Sequence, residues 1–188
     1  RKGDLTSLWI AQRRQDMGFS CVLLLELRNV PYEVQKAIVF YVLSRLPRLR
    51  AGVFDATGNG GYLAEAAAKK FRGVRAQMLN PAFYAEVTPK FKAAFERDEI
   101  SMPRDVDVYN DHRGIRLMKG VPQIVREEQR AGKGEDSKGR KKRRHGDAAI
   151  AHLLCYAASL ADNAPPVPRV LSGGVRRSAS LLSGYEYA

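Results

Sequence analysis

The amino-acid sequence predicts an α/β domain built on a mixed β-sheet: an antiparallel hairpin followed by parallel strands, with helices on both faces. Three observations carry this. Two strand-like segments flank the short turn Asp16-Met17-Gly18. A strand, a helix, a strand and a helix then follow in succession from Arg50 to Asp98, the order of a parallel βαβ unit. A chain of 188 residues, 45% of them hydrophobic, is long enough for one proper core and too short for two.

The elements follow in chain order. Leu5 to Gln12 alternates loosely and reads as a strand. Ser20 to Leu27 is a continuous apolar run between Gly18 and Asn29, as a buried strand requires. Pro31 opens a helical stretch to about Leu46, with Val34, Ile38, Val39, Val42 and Leu46 on one stripe, and Pro47 ends it. Arg50 to Asp55 is a short strand stopping at the turn Thr57-Gly58-Asn59-Gly60. Tyr62 to Phe71 is alanine-rich and helical. Val74 to Leu79 is a further strand, followed by Asn80-Pro81 and a helix from roughly Thr88 to Asp98. Ile100 to Met102 adds a brief extended piece. Val106 to Arg130 is poorly patterned, with one strand-like stretch at Gln123 to Glu128. Residues 131–144 are rich in Gly, Lys and Arg and read as a mobile basic loop. Gly146 to Leu160 is a clear helix, with Ile150, Leu153, Leu154 and Ala157 toward a core. The expected division is a domain over 1–161 and a disordered or extended tail over 162–188, where Pro, Gly, Ser and Arg dominate.

The formal net charge is +12, and half of it lies in Lys138, Arg140, Lys141, Lys142, Arg143 and Arg144. Such an excess favours polyanionic partners, nucleic acid or an anionic membrane surface. No apolar helix adjoins the basic run, which argues against a membrane partner. The longest apolar run, Cys21 to Leu25, falls far short of a bilayer span, and no signal peptide precedes it. Cys21 and Cys155 sit in apolar stretches without CxxC spacing and read as buried reduced thiols. The turn at residues 57–61 lacks the GxxxxGK[ST] pattern, so nucleotide hydrolysis has no support. His112 and His152 show no ligand spacing with a cysteine or an acid, and a zinc site is not expected.

Two acids stand where chemistry is expected. Asp55 ends a short strand before a Gly-rich turn, and ligands of α/β sheets bind beyond the carboxyl ends of strands. It could equally cap the helix that begins near Gly60. Asp147 lies in the first turn of the last helix, where the alternative is again capping or interaction with the helix dipole. Two divalent ions need hard oxygen ligands converging from separate elements, and a strand-end acid plus a helix-start acid meet that need. His145, two residues earlier, is an auxiliary candidate for phosphate or proton handling. A surface histidine beside a basic run is the plainer account of it. The basic run leads straight into this region, and its cations would grip a phosphate backbone without base specificity.

Three motifs in order complete the reading: Arg1-Lys2-Gly3-Asp4-Leu5-Thr6; Phe54-Asp55-Ala56-Thr57-Gly58-Asn59-Gly60 with Leu63-Ala64-Glu65; and Arg144-His145-Gly146-Asp147-Ala148-Ala149-Ile150-Ala151. Together they resemble the nuclease domain of phage large terminase subunits, of the Mu-like phage and prophage type, over roughly residues 1–161. The resemblance implies an RNase H-like fold, which the element order also suits. It further implies an endonuclease that cuts double-stranded DNA during genome packaging, leaving a 3′ hydroxyl and a 5′ phosphate. It implies two Mg²⁺ or Mn²⁺ ions held by three acids, with Asp55 matching the second and Asp147 the third. The first acid belongs to an opening strand before the segment matching Arg1 to Thr6. The expectation is therefore a fragment with a truncated opening strand and impaired cleavage. Asp4, in the turn after that strand, is an auxiliary candidate. The partners implied are double-stranded DNA and, in a full-length protein, an ATPase domain, the small terminase subunit and the portal or procapsid, in the cytoplasm of a bacterial host. An RNase H-like resolvase- or transposase-type nuclease, or a DNA-binding module without catalysis, are the alternatives.

Overall fold

A computed structural model describes residues 5–118, 120–124 and 146–161. The opening hairpin joins β1 (Leu5–Arg13) to β2 (Phe19–Arg28) in antiparallel register, from Leu5 opposite Arg28 to Arg13 opposite Phe19. A bulge after Ile10 shifts that register by one residue. The predicted turn closes through Arg14 N–H to the Gly18 carbonyl at 2.7 Å, with Met17 in the left-handed region. The short β5 (Ile100–Ser101) adds to β2 in parallel, giving a mixed sheet of order β1-β2-β5.

Helix α1 (Tyr32–Arg45) follows Pro31 and buries Val39 and Leu43 against Leu63. Val34, expected on the buried stripe, is instead exposed, because the helix packs through Val39 and Leu43 with Tyr32, Phe40 and Leu46 beside them. The predicted βαβ unit is present: β3 (Gly52–Asp55), α2 (Gly61–Lys70) and β4 (Val74–Gln77), with β3 parallel to β4. A 3₁₀ turn, Gly58–Gly60, links β3 to α2.

Helix α3 (Pro81–Glu96) starts well before the expected Thr88. The Asn80 side chain accepts the Phe83 N–H at 2.8 Å, and Pro81 occupies the first turn, where a missing N–H costs nothing. Pro89 suggests a helix start but lies inside this helix, which Phe83, Tyr84, Val87 and Phe91 hold against the core. The poorly patterned stretch after it contains α4 (Val106–His112) and an antiparallel pair, β6 (Ile115–Met118) with β7 (Val121–Ile124). Of the strand expected at Gln123 to Glu128, Gln123 and Ile124 lie in β7, and the rest lies outside the described residues. Asp105 caps α4 by accepting the N–H groups of Asp107 and Val108.

Helix α5 (Asp147–Ser159) is apolar on almost every side, so an apolar helix does adjoin the basic run in the chain, against the expectation; its residues are buried or half-buried in the core. Leu153, Leu154 and Ala157 meet α3 in the largest core cluster, and Ala148 meets Trp9 and Val108 in a second. The single mixed sheet expected from the element order is, by hydrogen bonding, three ladders among the described residues: β1-β2-β5, β3-β4 and β6-β7. Residues of both β1 and β3 line one cleft. Asp4, His145, the basic run at 138–144 and the tail at 162–188 lie outside the described residues.

Candidate functional site

The cleft has a volume of about 1300 Å³. β1 and β3 form two of its walls. Val39 and Leu43 of α1 line it as well, as do Asp147, Ile150, Ala151, Leu154, Cys155 and Ala158 of α5. Those α5 positions recur every three or four residues, so one face of the helix runs along the cleft and carries Asp147 at its start.

Asp55 enters the cleft from the last position of β3. Its Oδ1 accepts the Thr57 N–H at 2.7 Å, a local turn that leads the chain away from the strand. The Thr57 hydroxyl accepts the Leu79 N–H at 3.1 Å, and the Ala56 N–H donates to the Gln77 carbonyl at 2.9 Å. These bonds tie the turn after β3 to the end of β4. Gly60 packs so closely that a Cβ there would lie 2.5 Å from the Asp55 carbonyl oxygen. Helix α2 has Gly60 at its cap and no side-chain capping bond, so Asp55 does not serve as its cap.

Asp147 is the first residue of α5 and lines the same cleft as Asp55. Gly146 before it is left-handed, with φ 79°, and a Cβ there would lie 2.5 Å from Ile124 Cγ2. Only glycine fits that position. A glycine cap has no side chain to satisfy the first N–H groups of the helix. The buried Asp111 of α4 supplies one instead, its Oδ2 accepting the Ala148 N–H at 3.2 Å. Sequence reasoning passed over Asp111, although Gly in the cap position signals that an acceptor must come from elsewhere.

A second feature missed in the sequence is the contact between His112 and His152, whose Nε2 and Nδ1 lie 2.9 Å apart. His112 Nδ1 donates to the Val108 carbonyl at 2.7 Å, so its Nε2 is the acceptor and His152 Nδ1 the donor while both rings are neutral. His152 stacks on Trp9 at 3.9 Å and lies edge-on to Phe91. Burial, with His112 beside it, pushes the His152 pKa down to about 2, and burial lowers His112 as well. This pair is structural: neither ring lines the cleft. The cysteines are free thiols, and burial raises Cys155 to about 11.

Asp55 and Asp147 therefore share one cleft, with Arg13, Arg48 and Arg50 also on its walls. Two carboxylates supply the hard oxygen donors that Mg²⁺ or Mn²⁺ prefers. Among the described residues no three His, Cys, Asp or Glu side chains gather as a metal-holding group. No described helix is long and apolar enough to cross a membrane.

Over 161 residues, 85% of its length, the chain is 41% identical to the "probable terminase, large subunit gp28" of Escherichia phage Mu. It is similar to one stretch of that protein. The same extent is 39% identical to the Mu-like prophage FluMu protein gp28 of Haemophilus influenzae. The chain spans 28% of the Mu gp28 protein and 30% of the FluMu one, less than a third of either. No family model matches the chain. No solved structure matches it either.

Proposed function

We propose that this chain is the nuclease portion of a Mu-type large terminase subunit, an RNase H-like, metal-dependent endonuclease acting on double-stranded DNA during phage genome packaging. One observation carries the reading: Asp55, at a strand end, and Asp147, at a helix start, line a single cleft. The name borne by the Mu relative supports the packaging role.

Asp55 and Asp147 would hold the ions, and their carboxylate chemistry suits Mg²⁺ or Mn²⁺. When bound, such ions activate the attacking water and neutralise charge on the leaving 3′ oxygen. The Thr57 N–H fixes one Asp55 oxygen, which orients the carboxylate before any ligand arrives. Lys138, Arg140, Lys141, Lys142, Arg143 and Arg144 precede α5 in the chain and contribute salt-dependent grip on the duplex. Asp4 and His145 are auxiliary to this site.

The family resemblance calls for a further acid, the first of three, on an opening strand before the segment matching Arg1 to Thr6. The cleft supports that arrangement: β1 and β3 both line it, and each has a single strand neighbour among the described residues. In the longer protein the partners would be an ATPase domain, the small terminase subunit and the portal or procapsid, in the host cytoplasm. One observation favours a second reading, a DNA-binding module without catalysis. Arg13, Arg48 and Arg50 line the same cleft as the two acids and could hold a phosphate backbone without cleavage.

A supercoiled-plasmid assay with Mn²⁺, Mg²⁺ or EDTA separates the two. It should be run on this chain and on a form extended by the segment that precedes this region in Mu gp28. Metal-dependent nicking lost in Asp147→Asn, with DNA affinity equal or slightly higher, is the expected result. DNA binding without nicking in both forms would establish the binding module instead.

A further inference from the structure

We propose that Asp111 is the positioning residue for Asp147: its buried carboxylate fixes the first turn of α5 and so the direction from which Asp147 enters the cleft. This rests on the role given to Asp147 above. The argument starts from a deficit. Helix α5 opens on a left-handed glycine with no capping side chain, and the first N–H groups of a helix have no partner within it. Asp111 is 37 residues away in sequence and 6% exposed, yet its Oδ2 accepts the Ala148 N–H at 3.2 Å. A carboxylate is costly to bury unless hydrogen-bonded, and a helix start is where its charge is best received.

The attachment is rigid on both sides. The Asp111 carbonyl accepts the Gly114 N–H at 3.0 Å, closing the last turn of α4. Gly146 packs so closely on Ile124 that a Cβ there would lie 2.5 Å from its Cγ2, with the Asp111 carbonyl in ordinary contact at 4.0 Å. A further polar tie between α4 and α5, His112 to His152, lies more than a turn along α5. Asp111 thus ties α4 to α5 at the residue next to Asp147. Val108 packs on the same helix end through apolar contact alone, which makes it the control.

Three variants of the full chain test this: Asp111→Ala, Asp111→Asn and Val108→Ala. Amide hydrogen exchange at Ala148 and the Asp147 carboxyl carbon resonance are followed by NMR, and Mn²⁺ affinity by titration. Asp111→Ala should speed Ala148 exchange about tenfold to a hundredfold against the middle of α5, and shift the Asp147 resonance. Mn²⁺ affinity should fall at least about tenfold, as when an outer partner of a metal ligand is removed. Asp111→Asn keeps a neutral acceptor and should fall between parent and alanine. If the alanine variant does not fold, the asparagine variant decides, and unchanged Ala148 exchange in it overturns the proposal. Val108→Ala should lower thermal stability while leaving Mn²⁺ affinity near the parent value. An equal loss of affinity in Val108→Ala would make Asp111 merely one support of the fold, and overturn the proposal. If the parent binds no Mn²⁺, the metal reading fails. Asp111 is then judged by the Asp147 resonance and Ala148 exchange alone, and no response in either refutes it.

Discussion

Lowering the pH from about 7 to about 5 should destabilise this protein through one buried ring, His152. In the folded chain its pKa is pushed down to about 2 from an ordinary 6.5, chiefly by burial and then by the neighbouring His112. The ring is 3% exposed, stacked on Trp9 and edge-on to Phe91 and Phe95. A proton there would place a charge among aromatic faces and beside a second imidazole. The folded pKa is depressed, so the unfolded chain binds the proton first. Stability is complete above pH 6.5 and is lost progressively as pH falls from 6.5 toward 2. Each pH unit inside that window costs about 1.4 kcal/mol, so about 2 kcal/mol has gone by pH 5 from this residue alone. His112, also lowered by burial, acts in the same direction. Against a typical total of roughly 5–15 kcal/mol, that is a large fraction. The assay is urea denaturation at closely spaced pH values for the parent and for His152→Gln. Groups that do not touch His152 cancel in the comparison, whereas His112, its hydrogen-bond partner, contributes to the difference. The variant should be less stable near neutrality, but its stability should fall less steeply between pH 6.5 and about 5. Parallel pH curves for the two proteins would refute the reasoning.

Other outcomes follow from the same geometry. Phe91→Ala empties a site that is 1% exposed between α3 and α5 and should cost about 3–5 kcal/mol, read by denaturant titration. Gly146→Ala forces a left-handed alanine, costing about 1–3 kcal/mol before the clash with Ile124 is added, and thermal melting should show it. Neutralising Arg140, Lys141, Lys142, Arg143 and Arg144 should flatten the dependence of DNA affinity on salt concentration; an unchanged slope would remove the run from the DNA contact.

Much of the secondary structure was legible in the chain because it is encoded locally. The hairpin turn at Asp16-Met17-Gly18, the βαβ unit and α5 announce themselves through apolar periodicity and turn residues, and β1, β2, α1 to α2 and α5 lie within a few residues of their predicted bounds. Helix α3 was placed to start near Thr88, whereas Asn80 and Pro81 supply its start and the core holds the helix through Pro89. Helix α4 and β6 were illegible since they are short and weakly periodic, whereas β7 was anticipated in part, at Gln123 and Ile124.

What the sequence determined by itself is the candidate chemistry: which residues are acids, that Asp55 ends a strand and Asp147 begins a helix, and that the positive charge is concentrated before α5. Only the tertiary structure decided which of these meet. It brought Asp55 and Asp147 to one cleft, took the cap of α5 from Asp111 on another helix, and paired His112 with His152 across 40 residues. Propensity and capping act over a few residues and leave a local mark. A hydrogen bond between distant side chains depends on how whole helices pack, and no spacing in the chain records it.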